Sequence, residues 1–205
     1  CDLVFDTNAE TLTMDGSIRN GTDFRVQVGA SHRGGQARVI DGRKLLLEGV
    51  SEAVLAINMG VSARGMQATE ECAKTKPADT ATWEDLMREH VEEYSKHFGQ
   101  ISLELQIEEP TAPTDERLRH LRDGAPDPHL ALLYFHFGRY LLCASSANAS
   151  LPANLQGKWN EDLNPPWECD YHQDINLQMN YWIAEPAGMQ RYTEALFQHM
   201  ERLVP

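Results

Sequence analysis

The apolar run from Leu130 to Leu142 constrains this chain more than any other part of it. Asp127-Pro128 precedes it, a capping residue followed by the proline that suits a first helical turn. Beyond them Leu130, Leu132, Leu133, Phe135, Phe137, Tyr140, Leu141 and Leu142 spread apolar side chains almost all round a helix reaching about Ser146. A helix with so little polar face is buried between other helices. The C-terminal part of the chain is therefore expected to pack helix on helix, with residues 128–146 long and largely buried.

The first third has a different period. Phe24, Val26 and Val28 alternate with polar partners, and Leu55, Ile57 and Met59 alternate with Val54, Ala56 and Asn58, so both stretches predict strands. Asp15-Gly16, Asn20-Gly21, Gly34-Gly35 and Asp41-Gly42 are turn dipeptides. The result is a short antiparallel meander, too small to close a sandwich alone and so the tail of a larger β domain.

Between these regions, residues 63–80 are polar and read as irregular. Trp83, Met87, His90, Val91, Tyr94 and Phe98 then recur at helical spacing behind a cap at Thr80 or Thr82. Ile101, Leu103, Leu105 and Ile107 alternate with Ser102, Glu104, Gln106 and Glu108, which predicts a strand ended by Pro110 and Pro113. Thr114-Asp115-Glu116 starts a short helix that stops at Asp123-Gly124. A loop over 147–170 and helices near 175–186 and 190–203 complete the expectation.

Charge excludes some partners. Lys and Arg total 18 against 31 Asp and Glu, a net charge of −13 over 205 residues. Such a surface repels phosphate backbones and anionic lipid, so neither nucleic acid nor membrane is an expected partner. No apolar run approaches the ~20 residues of a membrane-spanning helix. The four cysteines, Cys1, Cys72, Cys143 and Cys169, form no CxxC pair, which disfavours a zinc knuckle or redox motif and leaves free thiols. His32, His90, His97, His120, His129, His136 and His199 lack metal-ligand spacing, so no metal or cofactor is expected.

Residues 151–186 depart from ordinary core or surface composition. Trp159, Trp167 and Trp182 sit there among Asn, Gln, Asp and His. Sugars have apolar C–H faces and a rim of hydroxyls, so a sugar site pairs aromatic platforms with amides and carboxylates. A loop-rich helix connection whose tryptophans merely pack fits the same composition.

The string Leu151-Pro152-Ala153-Asn154-Leu155-Gln156-Gly157, then Trp159-Asn160 and Pro165-Pro166-Trp167, resembles glycoside hydrolase family 95. The likeness continues through Ile175-Asn176 and Gln178-Met179-Asn180-Tyr181-Trp182 to Ala184-Glu185. More weakly, it includes Thr114-Asp115-Glu116-Arg117-Leu118 and Phe137-Gly138-Arg139-Tyr140-Leu141-Leu142. That family contains 1,2-α-L-fucosidases and some α-L-galactosidases. The resemblance implies a mixed fold: the end of a β-sandwich domain (1–62), a linker with helix and strand (63–113), and the first helices of an (α/α)6 barrel catalytic domain (114–205). It implies an inverting exo-glycosidase acting on a fucosylated oligosaccharide or glycan, in a secreted or periplasmic setting.

The resemblance also assigns roles. Asp174 and Asn176 match an Asn-x-Asn element that holds and activates water. Asp174 departs from the pattern, because a carboxylate accepts the water proton directly whereas an amide only orients the water. Asp174 also suits a helix N-cap, and the two roles can coexist. His172 matches a position near the C5–C6 side of the sugar, and Trp167 and Tyr171 are further substrate-contact candidates that could equally pack the loop. Asn154 and Gln156 are expected to tie down loop backbone. Glu185 sits in a buried-looking turn and is not the general acid. In the family the acid and the water-activating Asp lie on later helices, beyond Pro205, so this fragment alone is expected to be inactive. Another six-hairpin-barrel glycosidase is disfavoured by the 151–185 string. A non-catalytic glycan-binding relative would lack the later acidic residues.

Overall fold

The computed structural model describes residues 2–8, 11–18, 21–62, 65–74 and 82–204. They divide into two compact units, Cys1–His90 and Val91–Pro205.

The first unit is built on antiparallel strands β1 (Asp2–Asn8), β2 (Thr11–Ser17), β3 (Asp23–Arg33) and β6 (Glu52–Val61), in the order β1-β2-β3-β6. A separate hairpin of β4 (Gln36–Ile40) and β5 (Lys44–Glu48) interrupts the sequence between β3 and β6. Its turn has φ of 53° at Asp41 and 64° at Gly42, with Arg43 N donating to Ile40 O. This is the doubly left-handed hairpin turn that Asp-Gly favours. The meander is thus present, with one correction. Asp15-Gly16 is no turn, since both residues lie inside β2 opposite Arg25 and Phe24. Arg25 holds both oxygens of Asp15 at 2.6 Å, and that hydrogen bonding lowers the carboxyl pKa. The chain reverses at 18–22 instead, where Gly21 N donates to Ile18 O; Asn20 lies outside the described residues.

A second correction concerns residues 63–80, where helix α1 (Ala68–Lys74) interrupts the irregular stretch. Its buried Ala68 and Cys72 are one turn apart, too short a pattern to stand out from polar neighbours. The helix lies on the polar face of the sheet. A Cβ at Gly60 would stand 2.2 Å from Ala68 O and 2.3 Å from Cys72 N, and Cys72 Sγ reaches Gln27 Oε1 at 3.7 Å. Burial pushes the Cys72 thiol pKa up. Meanwhile Leu55, Ile57, Met59 and Val61, on the opposite face of β6, remain exposed. Gly60→Ala is accordingly expected to destabilise the first unit by about 2 kcal/mol or more, because helix backbone has to move. Urea unfolding of the full-length protein checks this.

Helix α2 (Trp83–Phe98) begins in the first unit and ends in the second. Its cap is Thr82, whose Oγ1 accepts from Asp85 N at 3.2 Å and donates to Asp85 Oδ2 at 2.8 Å, while Thr80 lies outside the described residues.

In the second unit follow α3 (Thr114–Arg122), α4 (Pro128–Ser146), α5 (Asn176–Tyr181) and α6 (Glu194–Glu201). The cap of α4 is as the sequence indicates: Asp127 accepts from Leu130 N at 3.0 Å. Arg117 also grips Asp127, at 2.8 and 3.0 Å, and lowers its carboxyl pKa. The expected strand at 101–107 does not form. Its carbonyls turn to α4 instead, with Ile101 O accepting from Arg139 at 2.9 Å. Leu103 O lies 3.2 Å from His136 Nε2, and Ile107 O 3.3 Å from His129 Nε2. Alternation alone cannot supply a partner strand.

Burial of α4 also differs from expectation. Leu130, Arg139, Leu142, Cys143, Ser145 and Ser146 are buried, but Leu133, Tyr134, Phe137 and Tyr140 are exposed, Tyr134 at 79%. Packing elements among the described residues occupy only one side of the helix. The core they share gathers Leu142, Cys143, Ala153, Leu177, Tyr181, Ala184, Met189, Tyr192 and Leu196. The last two helices are shorter than expected. Turns fill 182–188, where Glu185 precedes Pro186, a position that disfavours helical backbone. Among the described residues, no helix is long and apolar enough to cross a membrane.

Candidate active site

The segment 151–182 is organised around two hydrogen-bonding centres. The first is Tyr181, buried at the end of α5. Its hydroxyl accepts from Ala153 N at 2.8 Å and lies 3.0 Å from Ser146 Oγ, so one side chain joins α4, the loop and α5. The second is Asn154. Its backbone closes a tight turn on Gly157 through Asn154 N to Gly157 O (3.1 Å) and Gly157 N to Asn154 O (3.0 Å). Gly157 has φ of 71°, and a Cβ there would meet the Trp159 ring at 2.8 Å. Asn154 Oδ1 accepts from Gln156 N at 3.0 Å, as expected of a residue that ties down the loop.

Next comes a turn at Pro166–Cys169. Trp167, Glu168 and Cys169 all lie in the left-handed region, at φ of 50°, 55° and 52°. Each non-glycine residue there costs roughly 1–2 kcal/mol. The turn leaves Trp167 74% exposed while burying Cys169. Asp170 and His172 follow. One carboxylate oxygen of Asp170 stands 2.7 Å from His172 Nε2 without the alignment of a hydrogen bond, a contact that becomes an ion pair when the imidazole is protonated. Tyr171 packs into the loop, with its hydroxyl donating to Pro152 O at 3.1 Å and its ring centroid 4.7 Å from that of His199.

Then the chain enters α5. Leu177 N donates to His172 O at 2.9 Å, and Gln178 Nε2 to Gln173 O at 2.7 Å, which folds 172–178 into one compact step. The residue before the helix is Ile175, extended at φ −174°, and no side chain caps the helix. Asp174 is therefore pre-helical and exposed and is not the N-cap. Asn176 is half-buried in the first turn. Glu185 is exposed, contrary to its buried-looking sequence context. Partial desolvation lowers the pKa of Lys158, although its side chain reaches the surface. In the core beneath, burial raises that of Tyr192, whose hydroxyl accepts from Cys143 Sγ at 3.2 Å. Among the described residues, no group of three or more His, Cys, Asp or Glu side chains could hold a metal ion.

The glycosyl hydrolase family 95 catalytic domain model matches residues 82–205, from the α2 cap onward and across every candidate site residue. The chain belongs to glycosyl hydrolase family 95. The chain is also similar to individual proteins. "Alpha-L-fucosidase 2" of Arabidopsis thaliana is 35% identical over 187 residues, covering 83% of this chain and 22% of that protein. "Probable alpha-fucosidase A" of Aspergillus niger is 41% identical over 117 residues, 56% of this chain and 15% of the relative. Its namesake in Aspergillus oryzae is 40% identical over 123 residues, 57% and 17% respectively. The chain thus spans between 15% and 22% of the length of these relatives.

Sequence reasoning within family 95 passed over two contacts, Cys169 with Asn154 and Asp170 with His172. The Asn154-x-x-Gly157 spacing signals the tight turn, but nothing local announces a thiol bonding 15 residues back.

Proposed function

We propose that this chain contributes one wall of an inverting exo-glycosidase site that hydrolyses α-L-fucosyl linkages in glycans, with α-L-galactosides as the nearest alternative substrates. The observation that carries the reading is the family 95 match across the whole of 151–182, together with relatives named as fucosidases. In this proposal Asn176 orients the attacking water through its amide. Asp174, whose exposed carboxylate caps no helix, accepts or directs the water proton. His172 meets the C5–C6 side of the sugar, Trp167 offers an exposed ring to its C–H face, and Tyr171 lies behind them as a weaker contact. Inverting hydrolysis separates acid and base by roughly 6.5–9.5 Å so that water fits between base and anomeric carbon. The proposal extends to architecture: 1–62 closes a β-sandwich, 63–113 links, and 114–205 opens an (α/α)6 barrel.

The test uses the full-length protein and an α-L-fucosylated trisaccharide, with the released sugar followed by proton NMR. The β-anomer of fucose is expected first. Initial release of the α-anomer would overturn inversion. Tight binding with no release would favour a glycan-binding protein, and faster release from the matched α-L-galactoside would reassign the sugar.

A further inference from the structure

We propose that Asn154 is a positioning residue that holds the turn bearing Trp167 and leading to His172 in register with the helix that carries Asn176. The proposal rests on the fucosidase reading above. Two elements meet at Asn154. On one side its Oδ1 accepts from Cys169 Sγ at 3.2 Å, and the next residue's amide, Leu155 N, donates to Asp170 O at 3.1 Å. These bonds reach the end of the left-handed turn from both its side chain and its main chain. On the other side Asn154 O accepts from Asn180 Nδ2 at 2.8 Å, and Asn180 stands one helical turn beyond Asn176 on α5. The orientation of the amide is fixed by Gln156 N, which only donates and therefore requires an oxygen at Oδ1.

The argument turns on the backbone it restrains. Three consecutive left-handed residues, none of them glycine, persist only where surroundings over-determine them. The Asn154 side chain and the Leu155 amide supply that restraint at Cys169 and Asp170. Without Oδ1, the Cys169 thiol loses its acceptor and the turn relaxes toward ordinary backbone. Trp167 and the Asp170–His172 pair move with it. Asn176 stays where α5 holds it, because the bond from Asn180 goes to the Asn154 main chain. Substrate contact and water positioning are thereby separable.

In the full-length enzyme, Asn154→Ala is expected to raise KM for the fucoside roughly tenfold while kcat changes by less than about twofold. Asn154→Asp keeps an acceptor of the same shape and is expected to restore KM. A merely structural role would reduce the folded fraction, lowering the apparent kcat and leaving KM alone. The inference is overturned by an unchanged KM in Asn154→Ala, or by Asn154→Asp being as impaired as the alanine variant. Should Asn154→Ala fail to fold, Cys169→Ala cuts the same bond from the donor side and should raise KM about threefold; an unchanged KM there also overturns the inference. A wild-type enzyme inactive on fucosides defeats the functional reading, and the latch is then judged by alkylation. The Cys169 peptide, followed by mass spectrometry with iodoacetamide, should react about tenfold faster in Asn154→Ala than in wild type or Asn154→Asp. Equal rates would end the proposal.

Discussion

Asn176→Ala in the full-length enzyme is expected to lower kcat on an α-L-fucoside by roughly a hundredfold or more, with KM within about threefold of wild type. The side chain sits half-buried in the first turn of α5, and that helix is anchored through Tyr181 to both α4 and Ala153. In the proposed role, an amide carried on an anchored helix orients a water at little entropic cost when the transition state forms. Water gains most from orientation as it begins to attack, so the loss falls on kcat and not on ground-state binding. The neighbouring carboxylate divides the alternatives. Asp174→Asn retains a measurable fraction of kcat if Asp174 only orients water, and loses nearly all of it if Asp174 takes the proton. Steady-state kinetics with both variants are the measurement. A kcat in Asn176→Ala equal to wild type would remove Asn176 from the chemistry.

The second large effect is on stability. Arg139 is 1% exposed, and no carboxylate lies within ion-pair distance of it among the described residues. It donates instead to Ile101 O at 2.9 Å and Phe98 O at 2.6 Å, with its guanidinium 4.3 Å from the centre of the Phe98 ring. Arg139→Ala strands two carbonyls, removes the cation from the ring and leaves a void along α4. The expected loss is about 3 kcal/mol, since each of those terms is of order one to two. Arg139→Met fills much of the void and relieves a buried charge, so it should cost about half as much. Thermal and urea unfolding of the full-length protein separate the two. An alanine variant as stable as wild type would mean that the carbonyls find other partners.

What sequence could convey follows from how local each signal is. The start of α4 was legible because Asp127-Pro128 carries its own geometry, and the structure adds only the grip of Arg117. The Asp41-Gly42 turn is equally local. Asp15-Gly16 misled because an aspartate also makes a good cross-strand partner, and Arg25 opposite it took that role. The segment from Ile101 to Ile107 misled for a related reason. Alternation states what a strand would bury, but Arg139 and two histidines on α4 decide where the carbonyls go. The exposed face of α4 lay beyond any periodicity, since an apolar pattern does not reveal which neighbours are present. At the candidate site, the aromatic and amide composition and the family motif supplied candidates, and the structure adds their local contacts. The bond from Cys169 to Asn154 and the contact of Asp170 with His172 depend on how the loop folds back, which no spacing encodes.

The stretch beside α4 carries one more consequence. Residues 101–107 are pinned through their carbonyl oxygens to side chains of a helix, while their own N–H groups take no main-chain acceptor among the described residues. Such a stretch is fixed by its acceptors and open through its donors. With no main-chain bond to break, its amide protons are expected to trade with deuterium far faster than those inside α4. Three of the same residues, Ile101, Leu103 and Ile107, are nevertheless tied to α4 through their carbonyl oxygens. Rapid labelling along 101–107 would therefore record missing main-chain bonds in a stretch that α4 still holds at three points.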